Sequence, residues 1–319
     1  MQLGEIYAKG EQVMREKGLA WLLGAVETGF ILEHDRRVLD SYTFRPRYID
    51  APQPDTAVEV LGVELATPLV MSAVTMPINK IAEGGMMLMA QGLKQAGSLL
   101  WCGTPVPPNL AELCASGVPV VANAKPFRDR SRIFEMIEEL QKAGVAWIGL
   151  EIDAAVGTKI GDKAMLADCA PLRLAELREI RREVECPLII KGVLSAEDAE
   201  KAAEAEADGI VVSNHGGHTL DYLPHALQVL DEIRAVARGR LAVIADGGIR
   251  RGSDALKCLA MGADLVGLVR PLLWGLAAEG SEGVHAVISE LNEELRRIMG
   301  LLGAARPDEL NRRMLIPGP

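Results

Sequence analysis

The sequence predicts an α/β fold, a (β/α)8 TIM barrel that follows a helical N-terminal cap. From residue 68 onward, eight short apolar runs alternate with stretches of helical periodicity. The runs are almost continuously apolar, which is typical of parallel strands covered by helices. No G-x-G-x-x-G motif follows the first run, and this disfavours the alternative, an open doubly wound sheet. We therefore expect a cap over residues 1–67 and a barrel over residues 68–319, forming one structural domain.

The elements follow in order along the chain. Helical patterns at 3–17 and 19–29 precede the extended piece FRPRYIDAP, where prolines disfavour helix. Helical spacing is clearest between the strands at 132–144 and 172–185, and the amphipathic stretch 283–302 fits the last barrel helix. The predicted strands cover residues 68–73, 98–103, 118–124, 147–153, 187–193, 209–214, 241–246 and 265–269.

The composition of the chain limits the kinds of binding partner and of metal or disulfide site that we expect. The chain has 319 residues, of which 49% are hydrophobic, so it can bury a large core. Its net charge of -10 argues against nucleic acid, which demands a basic face. The five cysteines are scattered without a C-x-x-C pair, and the sequence predicts neither a disulfide framework nor a metal site.

The charged N-terminus predicts no signal peptide, and the early apolar stretch 19–26 is too short to span a bilayer. We expect a cytoplasmic protein with no membrane partner.

Polar residues follow five consecutive strands at the end where a barrel of this kind carries its active site. Any one of them could be an ordinary polar strand end, but together they converge on one mouth of the barrel. These residues are Glu151 and Asp153 after the fourth strand, Lys191 after the fifth, Ser213, Asn214 and His215 after the sixth, Asp246 after the seventh, and Arg270 after the eighth.

The segments around strands seven and eight predict a phosphate site. ADGGIRRGSDALKCLAMG places Gly247 and Gly248 directly after a strand and ahead of a helix, and Arg250 and Arg270 accompany them. Glycines let backbone N–H groups approach an anion, a helix N-terminus adds positive potential, and an arginine can bind the anion with two hydrogen bonds. The alternative is a pair of tight turns with surface arginines.

His215 is the candidate base. It stands directly after strand six and before two glycines, open to a ligand at the barrel mouth, and its pKa range suits proton abstraction near neutral pH. A lone histidine is more often structural. Here Lys191 ends the neighbouring strand, and Asp153 on the strand before that could orient and stabilise the imidazolium.

The runs IIKGV, GIVVSNHGG, ADGGIRRGSDALKCLAMGA and the final RP resemble the FMN-dependent L-2-hydroxy-acid oxidases and dehydrogenases, the family of glycolate oxidase and lactate oxidase. The resemblance is strongest over residues 186–303, and a weaker match reaches back through FRPRYID and VLGVELATPLVMSAVTM. It implies FMN as cofactor, oxidation of an L-2-hydroxy acid or a related small substrate to the 2-oxo product, and a homo-oligomer, by analogy a tetramer.

The same resemblance implies roles for individual residues. His215 becomes the catalytic base, Asp153 its partner, and Lys191 a cation beside the N1–O2 edge of the flavin. The cofactor contacts that it implies are Ser72, Ala73, Asn123, Lys191, Ser213, Asp246, Gly247, Gly248, Arg250, Val269 and Arg270.

The sequence departs from the family on the substrate side. His218 stands where the family has an arginine for the substrate carboxylate, and Lys125 and Trp21 replace two tyrosines. Lys159 is the nearest match to a second family arginine. Because histidine lacks the fork of arginine, the change at 218 is not conservative. These four residues are the candidate substrate contacts, and Lys125, Lys159 and His218 could rebuild a smaller anion site. The alternative is that these three are solvated residues at the rim.

Two further functions stay open at this point. A flavin barrel with another activity, of the nitronate-oxidising, enoyl-reducing or isomerising type, shares the phosphate site, although the SNHGG run preceded by Lys191 favours the hydroxy-acid group. The second alternative is a flavin-binding protein without catalysis. Reduction of the bound flavin by a 2-hydroxy acid would distinguish an enzyme from such a protein.

Overall fold

Eight parallel strands form the centre of the fold. The computed structural model describes residues 2–75, 78–155 and 168–318. The eight strands, which we number β1 to β8, are Leu69–Met71, Leu100–Cys102, Val120–Ala124, Trp147–Glu151, Leu188–Val193, Gly209–Val212, Ala242–Ala245 and Leu265–Leu268. Each predicted strand is therefore confirmed.

The strands close into a barrel. Consecutive strands pair in parallel from β2 to β8, and β8 pairs with β1. The remaining neighbours, β1 and β2, are joined by a hydrogen bond of 3.4 Å from the Met71 N–H to the Leu99 carbonyl. Since β8 returns to β1, the (β/α)8 prediction is confirmed and the open doubly wound alternative is excluded.

Helices cover the outside of the barrel, because the strands leave apolar side chains on both faces. Within the described residues, the α-helices, which we number α1 to α11, are Leu3–Glu16, Phe30–Asp40, Ile78–Ile81, Gly85–Gln95, Leu110–Ala115, Ser131–Ala143, Leu174–Glu183, Ala196–Glu204, Ala226–Ala237, Gly252–Ala260 and Arg270–Leu302. The last of these is kinked at Glu279 and Gly280, and the predicted stretch 283–302 lies beyond the kink. None of the helices in the described ranges is long and apolar enough to cross a membrane.

Two small antiparallel pairs lie outside the barrel sheet. Tyr42–Phe44 pairs with Leu315–Pro317, which joins the N-terminal segment to the end of the chain. Val58–Val60 and Val63–Leu65 form a hairpin just before β1.

The N-terminal segment contains one wrong prediction. A helix at 19–29 is not formed: Ala20–Leu23 is a single 3-10 turn, and the second helix instead begins after Gly29, whose φ is 70°. The reason is a contact with the barrel, where the Val26 N–H donates to the Gly217 carbonyl at 2.8 Å. A backbone group that bonds the barrel mouth is not available for a helix. This contact brings the N-terminal segment to the functional end of the barrel.

Candidate active site

The main cavity lies at the carboxyl ends of the strands and encloses about 1100 Å³, part of which is open solvent. Most residues predicted from the sequence line it: Trp21, Ser72, Ala73, Lys191, His215, His218, Asp246, Gly247, Gly248, Arg250, Val269 and Arg270. The buried Asn123, Lys125 and Ser213 do not line it, and neither does Asp153, the partner of His215. Lys159 lies outside the described residues.

The structure brings the predicted base and its partner together. His215 Nδ1 lies 2.6 Å from Asp153 Oδ2, and Lys191 Nζ lies 3.3 Å from the same nitrogen. Burial raises the pKa of Asp153, but the charges of His215 and Lys191 outweigh it and hold the pKa below its ordinary value. Asp153 is therefore a carboxylate. Because it holds Nδ1, proton exchange with a ligand falls to Nε2 of His215.

The turn that carries His215 is conformationally demanding. His215, Gly216 and Gly217 all have positive φ, at 57°, 60° and 80°. A Cβ on Gly217 would lie 2.0 Å from the Ile31 side chain, so glycine is required there. A left-handed histidine is an uncommon conformation that survives where its surroundings hold it, typically at functional sites.

Side chains behind the turn hold it in place. Asn214 accepts a hydrogen bond from the Gly216 N–H at 3.1 Å and donates to Asp35 Oδ1 at 2.9 Å. Arg270 donates to the Gly216 carbonyl at 2.6 Å. Sequence reasoning missed Asp35, because α2 was not predicted and nothing local marks the residue as a partner of a distant loop.

The loop after β7 has the features of an anion site. Gly247 and Gly248 adopt φ of 108° and 68°, and successive backbone groups in such a conformation form an anion-binding concavity. The guanidinium of Arg250 lies 4.6 Å from the centre of the Trp274 ring. Burial lowers the pKa of Arg250, and burial together with the charge of Arg250 lowers that of Arg270 to about 10. Two partly buried arginines that line one cavity favour an anionic ligand.

The alternative of a surface arginine applies to the neighbouring Arg251. The Arg251 side chain is 58% exposed, its guanidinium pairs with Glu294 at 2.6 Å, and Arg251 does not line the main cavity. The two neighbouring arginines therefore differ: Arg250 lines the main cavity and packs its guanidinium over Trp274, whereas Arg251 is exposed and pairs with Glu294.

Asp246 supplies a test of the expected cofactor. Its Oδ2 accepts a hydrogen bond from Ser72 Oγ at 2.8 Å. Its Oδ1 is buried and has no hydrogen-bond partner among the described residues, although Asp246 lines the cavity. A buried carboxylate oxygen without a partner carries a large desolvation penalty, which a ligand hydroxyl would relieve. The ribityl chain of FMN carries such hydroxyls, so the residues fit this cofactor.

A buried ion pair contradicts one sequence expectation. Lys125 and Glu151 are 0% and 1% exposed, and Lys125 Nζ lies 3.0 Å from Glu151 Oε2. Asn123 donates to the other oxygen of Glu151 at 2.8 Å and accepts from the Trp101 indole at 2.7 Å. The idea that Lys125 is a solvated rim residue is therefore wrong. Its assignment to the substrate is not supported either, because its charge faces Glu151 behind the cavity wall.

Glu151 itself lines the cavity, next to Lys191 in the register of β4 and β5. Sequence reasoning noted it as a polar strand end but gave it no role. The available signal was the presence of two opposite charges, Lys125 and Glu151, at the ends of neighbouring apolar strands.

The barrel, the histidine–carboxylate pair and the two arginines beside a glycine loop fit a flavin oxidoreductase whose cofactor carries a phosphate. The chain belongs to the FMN-dependent dehydrogenase family, whose model matches residues 10–166 and 162–317. It is an enzyme of this family, and its cofactor is FMN.

Individual relatives match over nearly the whole chain. L-lactate oxidase of Lentilactobacillus hilgardii is 30% identical over 340 residues, which cover 95% of this chain and 90% of the relative. Glycolate oxidase 1 of Zea mays is 27% identical over 350 residues, covering 98% and 94%. The crystal structure of a mandelate oxidase superimposes with a TM-score of 0.89 at 29% identity, covering 99% of this chain and 98% of the other.

Proposed function

We propose that this enzyme oxidises an L-2-hydroxy acid to the corresponding 2-oxo acid. The observation that carries the proposal is the His215–Asp153 pair beside Lys191, at the mouth of a barrel built for FMN. Bound FMN supplies the acceptor for the two electrons that leave the substrate's α-carbon. The similar lactate, glycolate and mandelate oxidases are named for substrates of this class.

His215 acts as the general base in this proposal. It lines the cavity and accepts one of the two substrate hydrogens as a proton at Nε2, while the other would leave with the two electrons that FMN takes up. Asp153 stabilises the imidazolium that forms. Lys191 lines the same mouth, where its positive charge would favour negative charge on the ring of bound FMN. A flavin-binding protein without catalysis has no need of such a pair.

The proposed cofactor contacts are residues that line the cavity, supported by residues behind them. Arg250, Arg270 and the N–H groups of the glycine loop are proposed to bind the phosphate, and Asp246 a ribityl hydroxyl. Ser72, Ala73, Lys191 and Val269 are proposed to contact the rest of the cofactor because they line the cavity. Asn123 and Ser213 stand behind this lining and are proposed to act through Glu151 and Lys191, to which they bond.

On the substrate side, Trp21 and His218 are proposed to contact the substrate. Both line the cavity, and Trp21 comes from the N-terminal segment that folds over the barrel mouth. Lys125 is not proposed as a substrate contact, because it pairs with the buried Glu151.

Replacing Arg270 with alanine is expected to raise the dissociation constant for FMN by roughly 10- to 150-fold, which corresponds to about 1.5–3 kcal/mol. The reason is the loss of a partly buried cation from the proposed phosphate site. Titration of the flavin-free protein by flavin fluorescence measures the change. Arg251→Ala is the control, since Arg251 pairs with Glu294 on the surface and should leave the affinity unchanged. Equal affinities for the Arg270 variant and the wild type would remove Arg270 from the site.

We further propose that the enzyme works in the cytoplasm as a homo-oligomer, a tetramer by analogy with the family. Residues 1–67 act as a cap that forms one structural domain with the barrel at 68–319. The contact of Val26 with Gly217 and the strand pair that joins Tyr42–Phe44 to Leu315–Pro317 support this unity. Light scattering of the purified protein tests the oligomer.

Product analysis tests the proposed reaction. The holoenzyme is incubated with L-lactate, glycolate and L-mandelate, with the D-enantiomers of the chiral acids as controls, and 2-oxo acids are measured. Formation of a 2-oxo acid from an L-substrate is expected. Failure of every 2-hydroxy acid, with turnover of a nitronate or an enoyl substrate instead, would assign the barrel to another flavin activity.

A further inference from the structure

A buried histidine stands behind the cofactor loop, and the chemistry described so far does not use it. His225 is 0% exposed and is the N-terminal capping residue of α9. Its Nδ1 accepts a hydrogen bond from the Leu227 N–H at 3.1 Å, and its Nε2 lies 2.9 Å from the Gly247 carbonyl oxygen. Because Nδ1 accepts, the hydrogen is on Nε2, and the ring donates to Gly247. Burial lowers the pKa of His225 and keeps the ring neutral.

This hydrogen bond orients a peptide plane of the glycine loop. In a trans peptide the C=O and the next N–H point in opposite directions, and the peptide from Gly247 to Gly248 is trans. The carbonyl of Gly247 points to His225, which does not line the cavity, whereas both glycines do. The N–H of Gly248 therefore points away from His225.

The next peptide plane is held in a similar way. Arg36 on α2 donates to the Gly248 carbonyl at 2.9 Å, so the N–H of Ile249 points away from Arg36. Within the described part of the chain, neither the Gly248 nor the Ile249 N–H donates a hydrogen bond. Two carbonyls are thus held by side chains, and the two N–H groups that follow them are left for a ligand.

We propose that His225 is a positioning residue for the cofactor phosphate, fixing the Gly247 carbonyl so that the loop N–H groups face the anion. Glycine peptides turn over easily because both φ signs are accessible. Without the donor, the peptide plane between Gly247 and Gly248 is free to rotate. The Gly248 N–H then no longer faces the phosphate. The inference rests on the proposed phosphate site and adds the residue that organises it from outside the cavity.

Two amide variants separate the two hydrogen bonds of His225. His225→Gln carries an amide N–H2 near the position of Nε2 and can keep the donor to Gly247. His225→Asn carries an amide oxygen near the position of Nδ1, so it can keep the helix cap to Leu227 but cannot reach Gly247. Both replace the ring with a shorter or thinner side chain, and their melting temperatures show whether each folds.

The dissociation constants of FMN and riboflavin are measured for the flavin-free full chain. Riboflavin lacks the phosphate, so the ratio of the two constants reports the phosphate site alone. We expect the wild type to prefer FMN strongly, His225→Gln to keep most of this preference, and His225→Asn to lose about tenfold or more of it, the scale of a buried carbonyl left without its donor.

Two results would overturn the inference in different ways. If His225→Asn keeps the wild-type preference for FMN over riboflavin, His225 is only a helix cap and core residue. If the wild type itself binds FMN and riboflavin equally, the phosphate site is misassigned, and the positioning role fails with it.

Discussion

Replacement of His215 with alanine is expected to slow the reduction of bound FMN by an L-2-hydroxy acid by about 100- to 10,000-fold, the usual contribution of a general base. FMN should stay bound, because the phosphate and ribityl contacts proposed here come from Asp246, Arg250 and Arg270. Anaerobic stopped-flow absorbance at saturating substrate measures the rate directly.

His218→Ala is the matched control, since both histidines line the same cavity and are three residues apart. His215 contacts Asp153 at 2.6 Å, and this carboxylate stabilises the protonated ring. We expect the His218 variant to raise the substrate's dissociation constant with a much smaller effect on the limiting rate. Wild-type reduction by the His215 variant, or a larger rate loss at His218, would reverse the assignment.

Lys125→Met is expected to lower the free energy of unfolding by about 3–5 kcal/mol. Removing one member of a buried ion pair leaves the charge of the other in the interior without that partner, and here Glu151 is 1% exposed. Urea denaturation at neutral pH, monitored by circular dichroism, measures the loss.

Two comparisons define the result for Lys125. Lys142→Met removes the cation of the Lys142–Glu138 pair, whose side chains are 71% and 66% exposed, and should leave the free energy of unfolding nearly unchanged. Combining Lys125→Met with Glu151→Gln should restore part of the loss, because the buried negative charge is then removed as well. A loss for Lys125→Met no larger than that for Lys142→Met would mean that the buried pair does not stabilise the fold.

The barrel could be predicted because its signal is repeated and local. Each strand is a short apolar run that must be buried on both faces, and each is bounded by a helical pattern, so eight independent observations give one topology. The segment 19–29 failed for the opposite reason. Its apolar residues suit a helix, but its backbone bonds Gly217, almost two hundred residues away. Local periodicity contains no information about such a contact.

The residues of the site likewise fall into those that the sequence predicts and those that only the fold brings together. His215, Asp153 and Lys191 could be predicted to meet because strand ends converge at one mouth of a parallel barrel. Lys125 is also at a strand end, but its role depends on the direction of its side chain, which turns to Glu151 on the neighbouring strand. His225 lies in a loop and a helix cap, and only the fold brings its ring against Gly247. Residues that act through a second residue leave no motif of their own.

The most direct test of the central claim is an anaerobic absorbance titration of the purified holoenzyme with L-lactate and L-mandelate, each beside its D-enantiomer. The account predicts that an L-2-hydroxy acid bleaches the visible flavin band in proportion to the substrate added, that the D-enantiomer does not, and that His215→Ala keeps its flavin oxidised over the same interval. A flavin band that no 2-hydroxy acid bleaches, in a protein that retains its FMN, would contradict it.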